Sequence, residues 1–259
     1  MNATRRRDSF PIGRVGHSGR PVDPGRKDPI PPDWLETVAW FSLALAAVCA
    51  ALILWDVFIR GYRQRMAVME AVWPITALYM GPLGLWAYSR WGRPKSPKFE
   101  RENGPAGQRP FRVRVAVSAS HCGAGCTLGD IVAAWLVFAL GLSAAGLALP
   151  WELGLGYLLA LAFGVGFQVW AIRPMNRELR GPELLKRAFK ADVISLSAFE
   201  VGLFSWMVIT QLVLFTDPHL PPDTATYWLM MQIGMALGFV TTYPVNIWLI
   251  RRGVKEAMA

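Results

Sequence analysis

The sequence predicts an all-α, polytopic membrane helix bundle of about six transmembrane helices with both termini in the cytoplasm. The first reason is a series of long apolar stretches in a chain that is 53% hydrophobic. A bilayer core about 30 Å thick is crossed by roughly 20 apolar residues in a helix. Stretches of that length predict spans near residues 35–55, 67–88, 126–149, 153–172, 193–215 and 226–250.

The second reason is the placement of the 27 Lys and Arg residues. They cluster before the first span, between spans two and three, between spans four and five, and after span six. Basic residues near span ends are retained in the cytoplasm, so this pattern predicts cytoplasmic termini. The net charge of +9 follows the same pattern and forms no separate basic domain. We therefore expect anionic headgroups of the lipid bilayer as partners, and no nucleic acid.

Three regions follow from these patterns. Residues 1–33 are rich in Arg, Pro and Gly and lack hydrophobic periodicity, which predicts a disordered basic cytoplasmic tail. Residues 34–252 should form the six-helix transmembrane domain. Residues 253–259 should be a short cytoplasmic C-terminus.

The second span contains two weak points. Pro74 removes a backbone hydrogen bond within the helix, and Gly81-Pro82 follows it. We expect this span to be bent or broken, which a membrane tolerates where protein covers the freed groups. Further along, residues 112–117 alternate polar and apolar, which predicts a short extended piece on the membrane surface. Spans three and four should turn tightly around residues 150–152.

The run HCGAGC at residues 121–126 is where chemistry can be argued from the sequence. It lies where a predicted loop enters the third span. If Thr127 caps that helix, both thiols lie just outside the helix N-terminus. If the helix starts near Ser120, then Cys122, Cys126 and Asp130 share one face. Both alternatives bring two sulfurs and one imidazole together.

Thiolates and an imidazole favour a soft transition metal, Cu(I) or Zn(II). We predict His121, Cys122 and Cys126 as ligands, with Asp130 completing the site and Met175 as a further donor. The predicted function is metal binding in metal handling or transport. Two alternatives stay open: thiol redox or sulfur transfer by the cysteine pair, and a structural accessory subunit of a membrane complex or homo-oligomer. No nucleotide-binding, zinc-protease or serine-hydrolase motif is visible, which disfavours an enzyme.

Polar and sulfur side chains within the spans predict an intramembrane path. Glu200 is a carboxylate well inside a predicted span, and inserting such a group costs about 2.5–3.5 kcal/mol, so it should face the bundle interior. Methionine thioethers along one side would suit Cu(I), although Met also fills irregular gaps between helices. The predicted path consists of Glu200, Met207, Gln211, Gln168, Met175, Met231, Met235 and Asn246.

Several short runs together resemble a known family. They are VWPITALY at 72–79, HCGAGCTLGD at 121–130, PM at 174–175, KAD at 190–192 and YPVN at 243–246. On these runs, the chain from about Met66 to Glu256 resembles DUF4396, a family of bacterial integral membrane proteins with no established activity. The resemblance implies a multi-pass protein of the bacterial inner membrane and makes the cysteine run a family feature.

Overall fold

The computed structural model describes residues 31–144, 146–172, 181–216 and 218–255. The described residues form helices and contain no β-strand. Three of the helices continue into a π-helical turn, over residues 55–59, 88–92 and 210–214. The α-helices are α1 (Asp33–Leu54), α2 (Met69–Met80), α3 (Pro82–Ala87), α4 (Pro97–Asn103), α5 (Phe111–Leu140), α6 (Leu149–Ile172), α7 (Pro182–Ile209) and α8 (Ala225–Arg251).

Five of these helices are long and apolar enough to cross a membrane. With their extensions they cover Asp33–Ile59, Phe111–Leu140, Leu149–Ala171, Asp192–Leu214 and Ala225–Arg251. Large apolar side chains on their outer faces, such as Phe41, Leu158 and Val240, are exposed. Lipid is the solvent that suits such faces. The protein is therefore an all-α, multi-pass membrane bundle, as the sequence predicted.

The second predicted span, near residues 67–88, is a helical hairpin that does not cross the bundle. Its helix breaks at Gly81, where φ is +54°, and Pro82 starts a new helix. At 12 residues, α2 is about 18 Å long, too short for a bilayer core. The chain then folds back, because the Trp73 and Tyr88 rings pack at 5.9 Å. The predicted break is confirmed, and the single spanning helix expected over residues 67–88 is not formed.

The hairpin places two loops at one end of the bundle that the sequence assigned to opposite sides. The Tyr88 hydroxyl donates to Asp56 at 2.8 Å, and the Tyr62 hydroxyl donates to Glu102 at 3.0 Å. We call this the basic end, because the Lys and Arg of residues 60–65, 90–114 and 251–255 gather there.

The two ends of the described chain lie at opposite ends of the bundle. At the start of α1, Glu36 accepts a hydrogen bond from Thr226 Oγ1 at 2.6 Å, at the start of α8. At the end of α8, Arg251 lies over the Phe111 ring at the basic end. Five helices long enough to cross, with the chain ends at opposite ends of the bundle, differ from the even number of spans that the sequence predicted. Of the predicted tails, 1–33 and 253–259, residues 1–30 and 256–259 lie outside the described residues.

Several predicted boundaries also shift. Residues 112–117 belong to α5 and are helical, so the predicted extended piece is wrong. The turn before α6 lies at residues 141–148, where Gly141 and Gly146 have positive φ, instead of at residues 150–152. Glycine adopts such backbone angles at no steric cost.

Small residues allow α5 and α6 to approach closely. A Cβ added to Gly129 would lie 2.3 Å from Ala160 N, and one added to Gly125 would lie 2.7 Å from Gly164 Cα. Helices in lipid associate through such close packing. The glycines of the HCGAGC run therefore serve helix contact, with Gly123 packed against Phe199. This contact fixes the depth of the α5 side chains in the bundle.

Candidate functional site

The α5 helix carries a buried row of reactive side chains through the bundle. Cys122, Cys126 and Asp130 are four residues apart and share one face, and all three are almost fully buried. They span about 12 Å along the axis at 1.5 Å per residue. Thr127 lies within the helix, so the predicted cap is wrong and the shared-face alternative is the one observed.

Cys122 lies in a cluster with a buried ion pair. Lys255 Nζ is 2.9 Å from Asp192 Oδ1, and both side chains are completely buried. The Cys122 thiol donates to Asp192 Oδ1 at 2.7 Å and accepts from Lys255 Nζ at 2.7 Å. Ser195 Oγ donates to Cys122 Sγ at 3.1 Å. We call Cys122, Asp192, Ser195 and Lys255 the outer cluster, since it is nearer the basic end.

Lys255 enters this cluster through a sharp turn at the end of α8. Gly253 has φ of +69°, and Val254 N donates to Leu249 O at 3.0 Å. Burial by itself would lower the pKa of Lys255. The Asp192 carboxylate and Cys122 outweigh that effect, so the pKa lies above its usual range. Lys255 therefore stays a charged ammonium inside the protein.

Two α8 side chains, Thr242 and Asn246, form hydrogen bonds to Ser195 of the outer cluster. Asn246 Nδ2 donates to Ser195 Oγ at 2.7 Å, and Thr242 Oγ1 donates to Ser195 O at 2.6 Å. Both side chains are fully buried. Asn246 was predicted as a path residue, and the structure places it here, tying α8 to α7.

A second cluster lies deeper and has a different character. It contains Tyr79 from the hairpin, Cys126 and Asp130 from α5, and Glu200 from α7, and we call it the inner cluster. Glu200 is 2% exposed, which confirms that it faces the interior. Among the described residues, neither Glu200 carboxylate oxygen, nor Asp130 Oδ2, nor the Tyr79 hydroxyl has a hydrogen-bond partner.

The groups of the inner cluster are close without being well bonded. Cys126 and Glu200 interact electrostatically, and neither Glu200 oxygen has a hydrogen-bond partner among the described residues. Asp130 and Glu200 are close enough for their charges to repel. Two buried carboxyls without a nearby cation do not readily carry two charges. The inner cluster is therefore built to hold protons or to attract a cation.

His121 lies off this face of α5. Its ring lies 6.2 Å from the Phe167 ring, and its polar neighbours are Gln168 and Asp192. Within the described chain, neither ring nitrogen has a hydrogen-bond partner. His121 is therefore buried and unpaired near the outer cluster.

The predicted metal ligands are not assembled into one site. In the described ranges, no group of three or more His, Cys, Asp or Glu side chains could hold a metal ion. Helical geometry explains this, because His121 points about 100° away from Cys122 around the axis. Met175 lies outside the described residues.

The buried row of polar side chains on α5 is followed, beyond Asp130, by Glu152 of α6. Tyr227 OH donates to Glu152 at 3.2 Å. Asp130 and Glu152 line a cavity of about 10 Å³ together with Met207 and Met231. Glu152 also lines a larger vestibule of about 180 Å³ at the end opposite the basic end. A titratable side chain thus separates the vestibule from the interior.

The remaining predicted path residues lie at separate places in the bundle. Gln211 holds the following loop by donating to Leu220 O at 2.8 Å and accepting from Leu220 N at 3.0 Å. Met235 accepts a hydrogen bond from Thr127 at 3.6 Å within the core. Gln168 lies beside His121.

Sequence reasoning missed four important residues. Asp192 lay at the start of a predicted span, and Lys255 was counted as a tail charge. Glu152 was assigned to a turn, and Tyr79 to a crossing helix. Asp192 borders a predicted span, and its charge gives no signal that the helix begins earlier in the chain. The ion pair between Asp192 and Lys255 joins residues that are 63 positions apart, and no local spacing pattern indicates it.

The comparison with protein families decides the identity. The sequence pattern of DUF4396, described as a domain of unknown function, matches residues 113–255. The chain belongs to the DUF4396 family. The matched region starts later than the resemblance from Met66 suggested, and it contains α5 to α8 and the whole outer cluster. The Tyr79 hairpin lies outside it.

Two further comparisons gave no match. No curated protein and no solved structure matches this DUF4396 chain. The geometry of its own side chains therefore carries the functional argument.

Proposed function

We propose that this DUF4396 protein moves protons through the membrane along the buried carboxyls of Glu152, Asp130 and Glu200. The observation that carries the proposal is that Glu200 and Asp130 are both buried, interact electrostatically, and have carboxylate oxygens that lack hydrogen-bond partners in the described chain. Ionisable groups inside a membrane are costly and mark ion pathways and proton relays.

The cavities suit protons better than larger ions. A cavity of about 10 Å³ lies between Glu152 and Asp130, and such a space holds about one water. One water can pass a proton between two carboxyls by accepting one hydrogen and donating another. A hydrated metal ion would need far more room. Glu152 collects the proton from the vestibule, which is open enough for several waters.

The charge distribution gives the proposal a direction. The basic end carries fourteen Lys and Arg, in residues 60–65, 90–114 and 251–255, whereas seven lie in residues 5–27 before α1, which starts at the opposite end. The end with more basic residues is expected in the cytoplasm. We therefore place the basic end in the cytoplasm, next to anionic headgroups, and the Glu152 vestibule outside the bacterial inner membrane.

Proton flux into proteoliposomes tests the proposal. The wild-type protein, with a potassium diffusion potential as driving force, should change the signal of an internal pH dye. Glu200→Gln and Asp130→Asn should each reduce the rate at least about tenfold, because an amide cannot release a proton and a tenfold change needs only about 1.4 kcal/mol. Glu102→Gln, which removes a half-exposed carboxyl from α4, should keep the wild-type rate.

Two outcomes would contradict proton movement. One is a wild-type rate equal to that of vesicles without protein. The other is a Glu200→Gln rate equal to wild type while the purified variant remains folded by circular dichroism.

Binding of Cu(I) or Zn(II) remains a prediction from the cysteine run. Thiol redox or sulfur transfer and an accessory role also remain predictions. Metal analysis of purified protein separates the first from the others. Equal copper and zinc contents in wild type and in Cys122→Ser/Cys126→Ser would remove the basis for metal binding.

A further inference from the structure

In the outer cluster, the side chains of Cys122, Asp192 and Ser195 surround a cation, and that cation is the ammonium group of Lys255. Lys255 Nζ contacts Cys122 Sγ at 2.7 Å, Asp192 Oδ1 at 2.9 Å and Ser195 Oγ at 3.4 Å. These atoms come from α5 and α7, whereas the ammonium comes from the end of the described chain. The site would carry one negative charge without Lys255, since Asp192 is its one carboxylate.

We propose that Cys122, Asp192 and Ser195 form a binding site for a small monovalent cation of the ammonium type, and that Lys255 is its tethered, displaceable occupant. This site is separate from the carboxyls of Glu152, Asp130 and Glu200. It does not require proton movement through them.

The site has more acceptors than Lys255 can use. An ammonium on a side chain has three hydrogens, and the contacts above account for all three. Asp192 Oδ2 and Asn246 Oδ1 are fully buried and have no partner in the described ranges. Buried acceptors are normally satisfied. A free ammonium, with four hydrogens and no tether, could use more of them.

The chain segment that tethers Lys255 is short and easily released. α8 ends at Arg251, and only Arg252, Gly253 and Val254 separate it from Lys255. Arg252 and Gly253 are exposed. Backbone bonds from Val254 N and Lys255 N to Leu249 O hold the turn. Withdrawing Lys255 therefore requires four residues to move and no spanning helix to unfold.

The charge of the site also limits which cation it suits. One carboxylate and one thiol in an apolar interior are neutralised by a single positive charge. A divalent ion would leave a net charge in the interior, unless the thiol also ionised, and an unpaired charge is expensive there. The site therefore suits a monovalent cation.

Alkylation of Cys122 tests the site directly. In a Cys49→Ser/Cys126→Ser background, Cys122 is the one remaining thiol of the chain, and N-ethylmaleimide should label it slowly. Lys255→Ala should increase the labelling rate about tenfold or more, because it removes the occupant and opens a path to the thiol. Ammonium or methylammonium chloride should then slow the labelling saturably. Tetramethylammonium chloride at the same ionic strength, which has no N–H donor, should not.

Matched controls separate this proposal from nonspecific effects. Arg252→Ala, which removes the neighbouring exposed cation, should leave Cys122 labelling at the slow rate. Glu200→Gln should also leave it unchanged, even if it abolishes proton flux. Failure of proton movement and failure of the cation site are therefore distinguishable.

The wild-type chain offers a second test if Lys255→Ala does not fold. Ammonium at high concentration should compete with Lys255, release the turn and accelerate amide hydrogen exchange of Val254 and Lys255 about threefold or more. Tetramethylammonium should have no such effect. The proposal is wrong if neither ammonium nor methylammonium alters exchange in wild type. It is also wrong if they fail to slow labelling in a folded Lys255→Ala protein, or if tetramethylammonium works equally well.

Discussion

The outer and inner clusters are built on the same template and differ in charge balance. Each pairs a thiol of α5 with a carboxylate of α7: Cys122 with Asp192, and Cys126 with Glu200. In the outer cluster, Lys255 neutralises the carboxylate at 2.9 Å. The inner cluster has a second acid, Asp130, in place of a cation. The thiol and carboxylate of the outer cluster thus form an ion pair because Lys255 is added, whereas those of the inner cluster lack such a cation in the described chain and can hold protons.

The bundle can therefore be stable although it buries ionisable side chains, because the two clusters avoid the cost of an unpaired buried charge in different ways. A buried ion pair with good hydrogen bonds tolerates burial, whereas breaking it leaves an uncompensated charge. Carboxyls with free oxygens avoid that cost by remaining protonated. We therefore expect the outer cluster to matter for stability, and the inner cluster to matter for activity.

The largest effect on stability should follow Asp192→Asn. The change leaves the Lys255 ammonium buried without its partner, and loss of one member of a buried pair costs about 3–5 kcal/mol. The free energy of unfolding in detergent micelles, measured from denaturant titrations, would show this loss.

The double variant sharpens this prediction. Asp192→Asn combined with Lys255→Met removes both charges and should recover at least half of the loss. If Asp192→Asn and the double variant are equally unstable, the pair is not the source of the stability. If Asp192→Asn is as stable as wild type, the ion pair does not form in solution.

A smaller effect should follow Gly129→Ala, which tests the contact that aligns both clusters. Gly129 lies between Cys126 and Asp130, and its added methyl group would meet Ala160 N at 2.3 Å. Overpacking of this kind costs about 1–3 kcal/mol. The same denaturant titration measures the loss.

Gly154→Ala is the matched control. Gly154 is also a helical glycine of this helix pair, but nothing lies within 4 Å of its added Cβ. It should be neutral or slightly stabilising, because alanine favours helix by up to about 1 kcal/mol. Equal destabilisation by both variants would show that α5 and α6 do not approach as closely as described.

Most of the fold, and part of the site, could be predicted from sequence. Long apolar runs identified the five crossing helices, because length and hydropathy are local properties. The same reasoning failed at residues 67–88, since a stretch long enough to cross can also fold back on itself. Gly81-Pro82 signalled the break, but not the direction of the chain after it.

The site was harder to predict because its residues are distant along the chain. The shared face of Cys122, Cys126 and Asp130 follows from helical spacing alone. The approach of Asp192 and Lys255 depends on how α5, α7 and the end of α8 pack, which a single sequence does not encode in any local pattern. His121 was placed with the thiols because it is adjacent to Cys122 in sequence, although adjacent helical residues face different directions.

The smallest effect on stability should follow Glu200→Gln, and this completes the contrast with Asp192→Asn. Glu200 has no cation that would be left unpaired, and its oxygens have no hydrogen-bond partner in the described chain to lose. A neutral amide of similar shape also avoids any cost of burying charge. We expect a change in the free energy of unfolding below about 1 kcal/mol, in either direction, measured by the same titration. A loss as large as that of Asp192→Asn would mean that Glu200 is ionised and paired with a cation in the folded protein, and the inner cluster would then be a second structural ion pair instead of a proton site.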